Sequence, residues 1–418
     1  MDAYVLLLLI LEAALGLLLL HRAGLLKTPG AMLVAVLLLA LAFTLRGMLF
    51  DFETLDYKNF LSRWAAYFRE YGGFRALSEQ VGNYNIPYLY FLAACSYLPI
   101  RDLYLIKLLS CLFDVLLAWG AMLLCRIFTQ KPARLLACFF TVLLLPTVVL
   151  NGACWGQCDS IYVSLGILGV YLALRDKPVG SMILMALSFS VKLQAVFLLP
   201  VCAVLWMYKK YSWKHFLIFP AAYILLVLPA VALGRPFLET ITLYFSQTGS
   251  IGDGLNYNSS SIFSIFWRIP PEQQKAAAGI GIAAAAVYML NILAVAYANR
   301  GKLSDRSILG AALLFVIGIP FLLPHMHERY FYFVDVLTVL LAYVAPPCLA
   351  AALLAQFSSL IGYHVYLMNL RYYVIQPRCG AAALLVVFAL SLIFFLSSLR
   401  EPPARGKSAG KKRKKNSS

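Results

Sequence analysis

Charge is scarce in this sequence: Asp, Glu, Lys and Arg together supply 13% of its 418 residues, while 62% are hydrophobic. A soluble domain carries about twice that share of charge and could not hide so much apolar surface, so a soluble fold is excluded. A basic leader is missing before the apolar stretch 4–20, and a small-residue cleavage site is missing after it. That argues against a cleavable signal peptide and predicts a first spanning helix. The nine cysteines fall mostly inside apolar segments, which leaves no disulfide or zinc framework. Cys154 and Cys158 are spaced to share a helix face and read as packing residues like the rest. No internal repeat is visible, which weighs against a transporter built from inverted halves.

Long apolar runs are what the sequence does have. In lipid a helix satisfies its own backbone, so these runs predict an all-α polytopic membrane protein. About 13 spans are expected, near 4–20, 30–50, 103–128, 133–150, 160–174, 179–192, 195–207, 213–233, 276–298, 306–323, 330–345, 347–366 and 380–398. Several are shorter than the roughly 20 residues of a usual span, and the pair around Lys192 reads as a broken or half-inserted hairpin. Residues 1–399 are expected to form one transmembrane domain, followed by a disordered basic cytoplasmic tail over 400–418.

The basic residues give an orientation. Arg22 and Lys27, Arg126 to Arg134, Arg175 and Lys177, Lys209 to Lys214, Arg300 to Arg306, and the tail occupy alternate loops nearly free of acids. The positive-inside rule makes those loops cytoplasmic, with the N-terminus outside and the C-terminus inside a cell membrane. Much of the net charge of +17 sits in the tail, where the run Lys411–Lys415 suits anionic lipids rather than nucleic acid. The outward loops hold the acids instead, including Asp51, Glu53, Asp56, Asp102, Asp159, Asp253 and Glu328. Two of them, roughly 51–102 and 235–275, are long. The first contains an amphipathic stretch (Phe60, Leu61, Trp64, Tyr67, Phe68) and the apolar run 87–98, both expected to lie along the interface. The second, with Asn256-Tyr-Asn258-Ser-Ser, is either a plain interfacial loop or part of an acceptor site.

Four polar groups stand out. Asp51 to Asp56 follow the second span; a carboxylate there is a solvated loop acid or a base for an attacking hydroxyl. Asn151-Gly-Ala-Cys-Trp155-Gly156-Gln157-Cys-Asp159 would put Asn151, Trp155 and Asp159 on one face if helical, and Gly156 permits a tight backbone. This group reads as a helix cap with an interfacial Trp, or as a sugar site. Lys192 and Gln194 interrupt two apolar runs; a cation so near hydrocarbon pairs with a carboxylate or meets a phosphate. Finally, Pro324-His325-Met-His327-Glu328-Arg329-Tyr330-Phe-Tyr332 sits between two spans. On a helix, His325, Glu328, Arg329 and Tyr332 would line one face, with Asp335 continuing it. His and Arg suit a phosphate, and the spacing is not that of a helical zinc site.

This combination of an early-loop Asp, Trp-Gly-Gln-x-Asp, Lys-x-Gln and His-x-His-Glu-Arg-Tyr resembles membrane glycosyltransferases of the GT-C fold. The resemblance is to bacterial relatives of the GPI mannosyltransferase II family, and more distantly to the dolichyl-phosphate-glucose-dependent glucosyltransferases. It covers roughly 46–345 and leaves out the last two spans, the tail and the first span. It implies a polyprenyl-phosphate sugar donor, mannose favoured and glucose next, and a glycan or glycolipid acceptor. By the same resemblance Asp56 is the catalytic base, with Asp51 as the fallback. Lys192, His325, His327 and Arg329 lie at the donor phosphate, and Trp155, Gln157, Asp159 and Gln194 at the sugar. Glu328 and Tyr332 support them. The chain departs in having Asp159 where the eukaryotic glucosyltransferases have an amide. It has no metal-binding Asp-x-Asp motif, so no cofactor is required, although a divalent metal stays open.

The expected reaction is inverting and in line, with a lipid phosphate as leaving group. The rival reading is a lipid-linked-sugar flippase or other transporter, which would also account for intramembrane charges such as Lys107, Asp114 and Asp335. A polymer ligase would share the fold and differ in donor.

Overall fold

The computed structural model describes residues 3–247, 254–266 and 268–400. The basic tail beyond Arg400 and the acid at Asp253 lie outside the described residues. What is described is an all-α, multi-pass membrane protein. Eight helices among the described residues are long and apolar enough to cross a bilayer. They are Ala3–Arg22, Pro29–Met48, Asp102–Phe128, Trp213–Ala232, Pro271–Ala298, Asp305–Leu322, Pro346–Leu367 and Pro377–Ser398. A bent pair, Pro132–Leu143 and Pro146–Trp155 at 46°, makes nine if it is counted as one broken span rather than a re-entrant loop. The other four expected spans are helical but short: Asp159–Leu174, Pro178–Val191, Leu193–Met207 and Tyr332–Val344. Eight or nine helices, not thirteen, therefore reach the length of a full span.

Local chemistry explains the punctuation. Proline opens the helices at Pro29, Pro132, Pro178, Pro271 and Pro377, where its missing N–H costs no intrahelical bond. Ser304 and Ser307 close a reciprocal cap at the start of Asp305–Leu322. The chain is broken at Lys192, which is extended (φ −154°, ψ 134°) between the Pro178–Val191 helix and a tight turn over Leu193–Phe197. The 46° bend falls at Leu144–Leu145, ahead of Pro146.

Interior and peripheral helices separate by burial. Asp305–Leu322 is 78% buried within its apolar window, whereas Trp213–Ala232 and Pro271–Ala298 are only 17% buried and turn Leu225, Ile280 and Leu290 outward. An apolar helix that exposes most of its surface needs lipid around it. Asp102–Phe128 is the central post, packed against Ala3–Arg22, Pro132–Leu143 and Asp159–Leu174. Arg46 and Asp114 are both fully buried and pair at 2.9 Å, and Arg46 also donates to the Leu143 carbonyl at 2.8 Å beside the bend. Asp114 accepts further from Ser160, so this ion pair ties four segments together.

Candidate active site

The loop after Pro29–Met48 carries Asp56 to one end of the bundle. A wide helical turn, Tyr57–Leu61, follows and runs into the amphipathic helix Ser62–Glu70. The Trp155 segment comes to the same place by a different device. Leu150–Trp155 forms a wide π-helical turn, and Gly156 then takes a left-handed conformation (φ +75°) that a side chain would strain. The next helix starts at Asp159. Asn151, Trp155 and Asp159 thus do not ride one continuous helix, although Asn151 Nδ2 still donates to Asp159 Oδ2 at 2.7 Å.

These two segments meet at Asp56. Its Oδ2 accepts from Trp155 Nε1 at 2.9 Å and Gln157 Nε2 at 2.8 Å, and its backbone N–H donates to the Tyr366 hydroxyl at 3.0 Å. Tyr84 donates to Gln157 Oε1 at 3.2 Å, which fixes the amide's orientation toward Asp56. Asp51, in contrast, is exposed and held by the Tyr104 hydroxyl at 2.6 Å; that bond keeps its carboxyl below the usual carboxylate range.

The cations stand opposite. Lys192 makes a buried ion pair with Asp159. Arg329 lies 3.7 Å from both Asp56 Oδ2 and Asp159 Oδ2, and 3.5 Å from Glu328 Oε1. Its guanidinium also sits 5.2 Å from the Trp155 ring centre. Burial would lower the Arg329 pKa, but the three carboxylates outweigh it and hold the group well above its ordinary value. Burial pushes the Glu328 carboxyl up to about 7, with Arg329 opposing. His327 is lowered to about 3 by burial and by Arg329, so it is a neutral imidazole at pH 7.

A cavity of about 420 Å³ brings these groups together. Asp56, Gln157, Lys192, Gln194, His327 and Arg329 line it, with Trp64, Tyr84, Tyr244, Tyr257 and Tyr330 as aromatic walls. Neutral Gln157 and Gln194 amides, rings and two cations around one carboxylate suit a polar, partly anionic ligand.

The structure places five residues differently from expectation. The segment 325–331 is not helical. Met326–His327 forms a short strand parallel to Asn256–Tyr257, and the helix starts only at Tyr332. His325 therefore leaves the cavity; it has φ +62°, with Nδ1 at 2.7 Å from the Gly254 carbonyl. Trp155 is fully buried, stacked on Tyr366 with ring centres 4.1 Å apart, and backs Asp56 instead of facing the cavity. Asp159 is likewise behind the wall, consumed by Lys192, Asn151 and Arg329. Tyr332 points into the core, its hydroxyl 2.9 Å from Ser160 Oγ. Asp335 does not continue a polar face; it is buried and accepts from Ser359 at 2.9 Å.

Neither family models, curated proteins nor solved structures match this chain.

Tyr363 and Tyr366 are residues the sequence reading missed, since the helix that carries them lay outside the resemblance. Asn151 donates to the Tyr363 hydroxyl at 3.0 Å. Two tyrosines within four residues of an otherwise apolar run were the available signal. Gly362, beside them, is a close-approach position: a Cβ there would collide with the Glu328 side chain and the Asn258 carbonyl oxygen. Among the described residues no cluster of three or more His, Cys, Asp or Glu is placed to hold a metal.

Proposed function

We propose that this protein is a polyprenyl-phosphate-sugar-dependent glycosyltransferase of GT-C-type architecture. It transfers a hexose, mannose favoured and glucose next, to a hydroxyl of a glycan or glycolipid at the outer face of the membrane. The observation that supports this reading is one cavity lined by a carboxylate, Asp56, and two cations, Lys192 and Arg329. The Trp155 and Gln157 hydrogen bonds and the Arg329 contact all fall on Oδ2 of Asp56, which holds the carboxylate at the cavity wall.

In the reaction, the acceptor oxygen attacks the anomeric carbon as its proton passes to Asp56. The bond from that carbon to the phosphate oxygen breaks with inversion, and the lipid phosphate leaves. A phosphodiester with one negative charge becomes a monoester with two, and Arg329 and Lys192 stabilise the charge that develops. Each is already paired with a carboxylate, so the phosphate competes for preorganised cations rather than gathering mobile ones. His327 serves as a neutral hydrogen-bonding group. Gln157 and Gln194 hold sugar hydroxyls, with Trp64 and Tyr84 as stacking surfaces.

Intramembrane charge argues for this reading over a flippase. Asp114 is bound by Arg46, Lys107 by backbone carbonyls and Asp335 by Ser359, so these groups stabilise helix packing and do not line a route. The test is purified protein in vesicles with labelled polyprenyl-phosphate hexose and candidate acceptors. Product formation that Asp56→Asn abolishes supports transfer; label that changes leaflet without bond formation supports the flippase.

A further inference from the structure

Lys107 is fully buried near the start of the central helix Asp102–Phe128, and it pairs with no carboxylate among the described residues. Its ammonium instead donates to three backbone carbonyls: Leu49 at 2.8 Å, Phe50 at 2.9 Å and Phe52 at 2.6 Å. An ammonium has three donors, so none is left for a substrate or ion. The three carbonyls lie just past the end of Pro29–Met48, at the negative pole of that helix, where a fixed cation is favourable. They are also the residues that lead into Asp56.

The same helix holds the loop beyond Asp56. The Tyr57 hydroxyl donates to Asp102 Oδ2 at 3.0 Å. Before Asp56, Thr54 Oγ1 donates to the carbonyl of Trp155, in the Leu150–Trp155 turn, at 3.3 Å while accepting from Tyr57 N. Asp56 is therefore gripped from both sides by the first two turns of one helix. A carboxylate that must meet a hydroxyl within hydrogen-bond reach needs such a mount, because small displacements are costly.

We propose that Lys107 is a positioning residue for Asp56: through the Leu49, Phe50 and Phe52 carbonyls it sets where the base stands in the cavity. This rests on the glycosyltransferase reading of Asp56. Lys107 does not touch the cavity, so it acts on the chemical step and not on donor binding.

Lys107→Met in vesicles tests this, read by transfer kinetics and by hydrogen exchange of amides 50–57. The expected result is a kcat lower by about 100-fold, a donor KM unchanged within about threefold, and faster exchange across 50–57. Lys107→Met combined with Asp56→Asn is expected to lose no more activity than Asp56→Asn alone. Should Lys107→Met not fold, Tyr57→Phe releases the second anchor and is expected to lower kcat in the same pattern, by about 10-fold. The proposal is overturned if these anchor variants keep wild-type kcat while Asp56→Asn abolishes transfer; the base assignment then survives. If Asp56→Asn itself transfers normally, the reading of the site fails, whatever the anchor variants do.

Discussion

The indole Nε1 of Trp155 donates to Oδ2 of Asp56 at 2.9 Å, a bond that joins the first acidic loop to a glycine-broken helical turn 99 residues away. The ring is stacked on Tyr366 and fully buried, so the donor is fixed in place. Trp155→Phe keeps the stack and deletes the bond. Hydrogen bonds to charged groups contribute about 1.5–3 kcal/mol. Transfer assays should show a kcat lower by roughly 10- to 100-fold, with donor KM little changed. Loss confined to KM would instead make Trp155 a donor-binding residue.

Lys192 and Asp159 make a buried pair, and removal of one partner leaves the other charge uncompensated. Lys192→Met is expected to cost about 3–5 kcal/mol, seen as a lower Tm in detergent. The double variant Lys192→Met/Asp159→Asn should recover most of that stability but not activity, since the phosphate still lacks its cation. Recovery of both would confine the pair to a structural role.

Two neighbours titrate in opposite directions. Glu328 is raised from 4.5 to about 7, so its contribution to stability is full below pH 4.5 and lost as pH rises through 7. His327 is lowered from 6.5 to about 3, so its contribution is full above pH 6.5 and lost as pH falls toward 3. Between about pH 4.5 and 6.5 the two slopes oppose each other. Glu328→Gln should therefore expose a stability that rises with pH across this window, and His327→Phe one that falls. Thermal unfolding at a series of pH values reads both signs.

Gly362 lets the Leu349–Leu367 helix approach the Glu328 and Asn258 backbones. Gly362→Ala should overpack that contact and cost about 1–3 kcal/mol. Because the strand pair at 256–257 and 326–327 must shift, donor KM should rise as well. A variant with normal Tm and normal KM would mean the contact yields freely.

Much of the membrane plan was legible from hydropathy alone, as were the separate polar groups. Lys192 falls at a chain break because two apolar runs are too short to be independent spans, and that shortness is written in the residues. The helix face that His, Glu and Arg spacing would allow over 325–331 does not form. The backbone there pairs instead with Asn256–Tyr257, a partner about 70 residues away that no local pattern announces. Trp155 and Asp159 are expected at the sugar by resemblance; that both sit behind the cavity wall follows from the left-handed turn at Gly156 and from tertiary packing. By sequence Lys107 is one of the intramembrane charges that a transporter would also carry. Its partners are carbonyls, which every residue has and no sequence advertises.

The most direct measurement is single-turnover transfer by purified protein in vesicles, with labelled polyprenyl-phosphate hexose and an acceptor glycolipid, for the wild type and for Asp56→Asn. The account predicts labelled glycolipid of inverted anomeric configuration from the wild type, and a rate at least about 100-fold lower from the variant. Equal rates from the two proteins, or label that crosses the bilayer still bonded to its lipid phosphate, would contradict it.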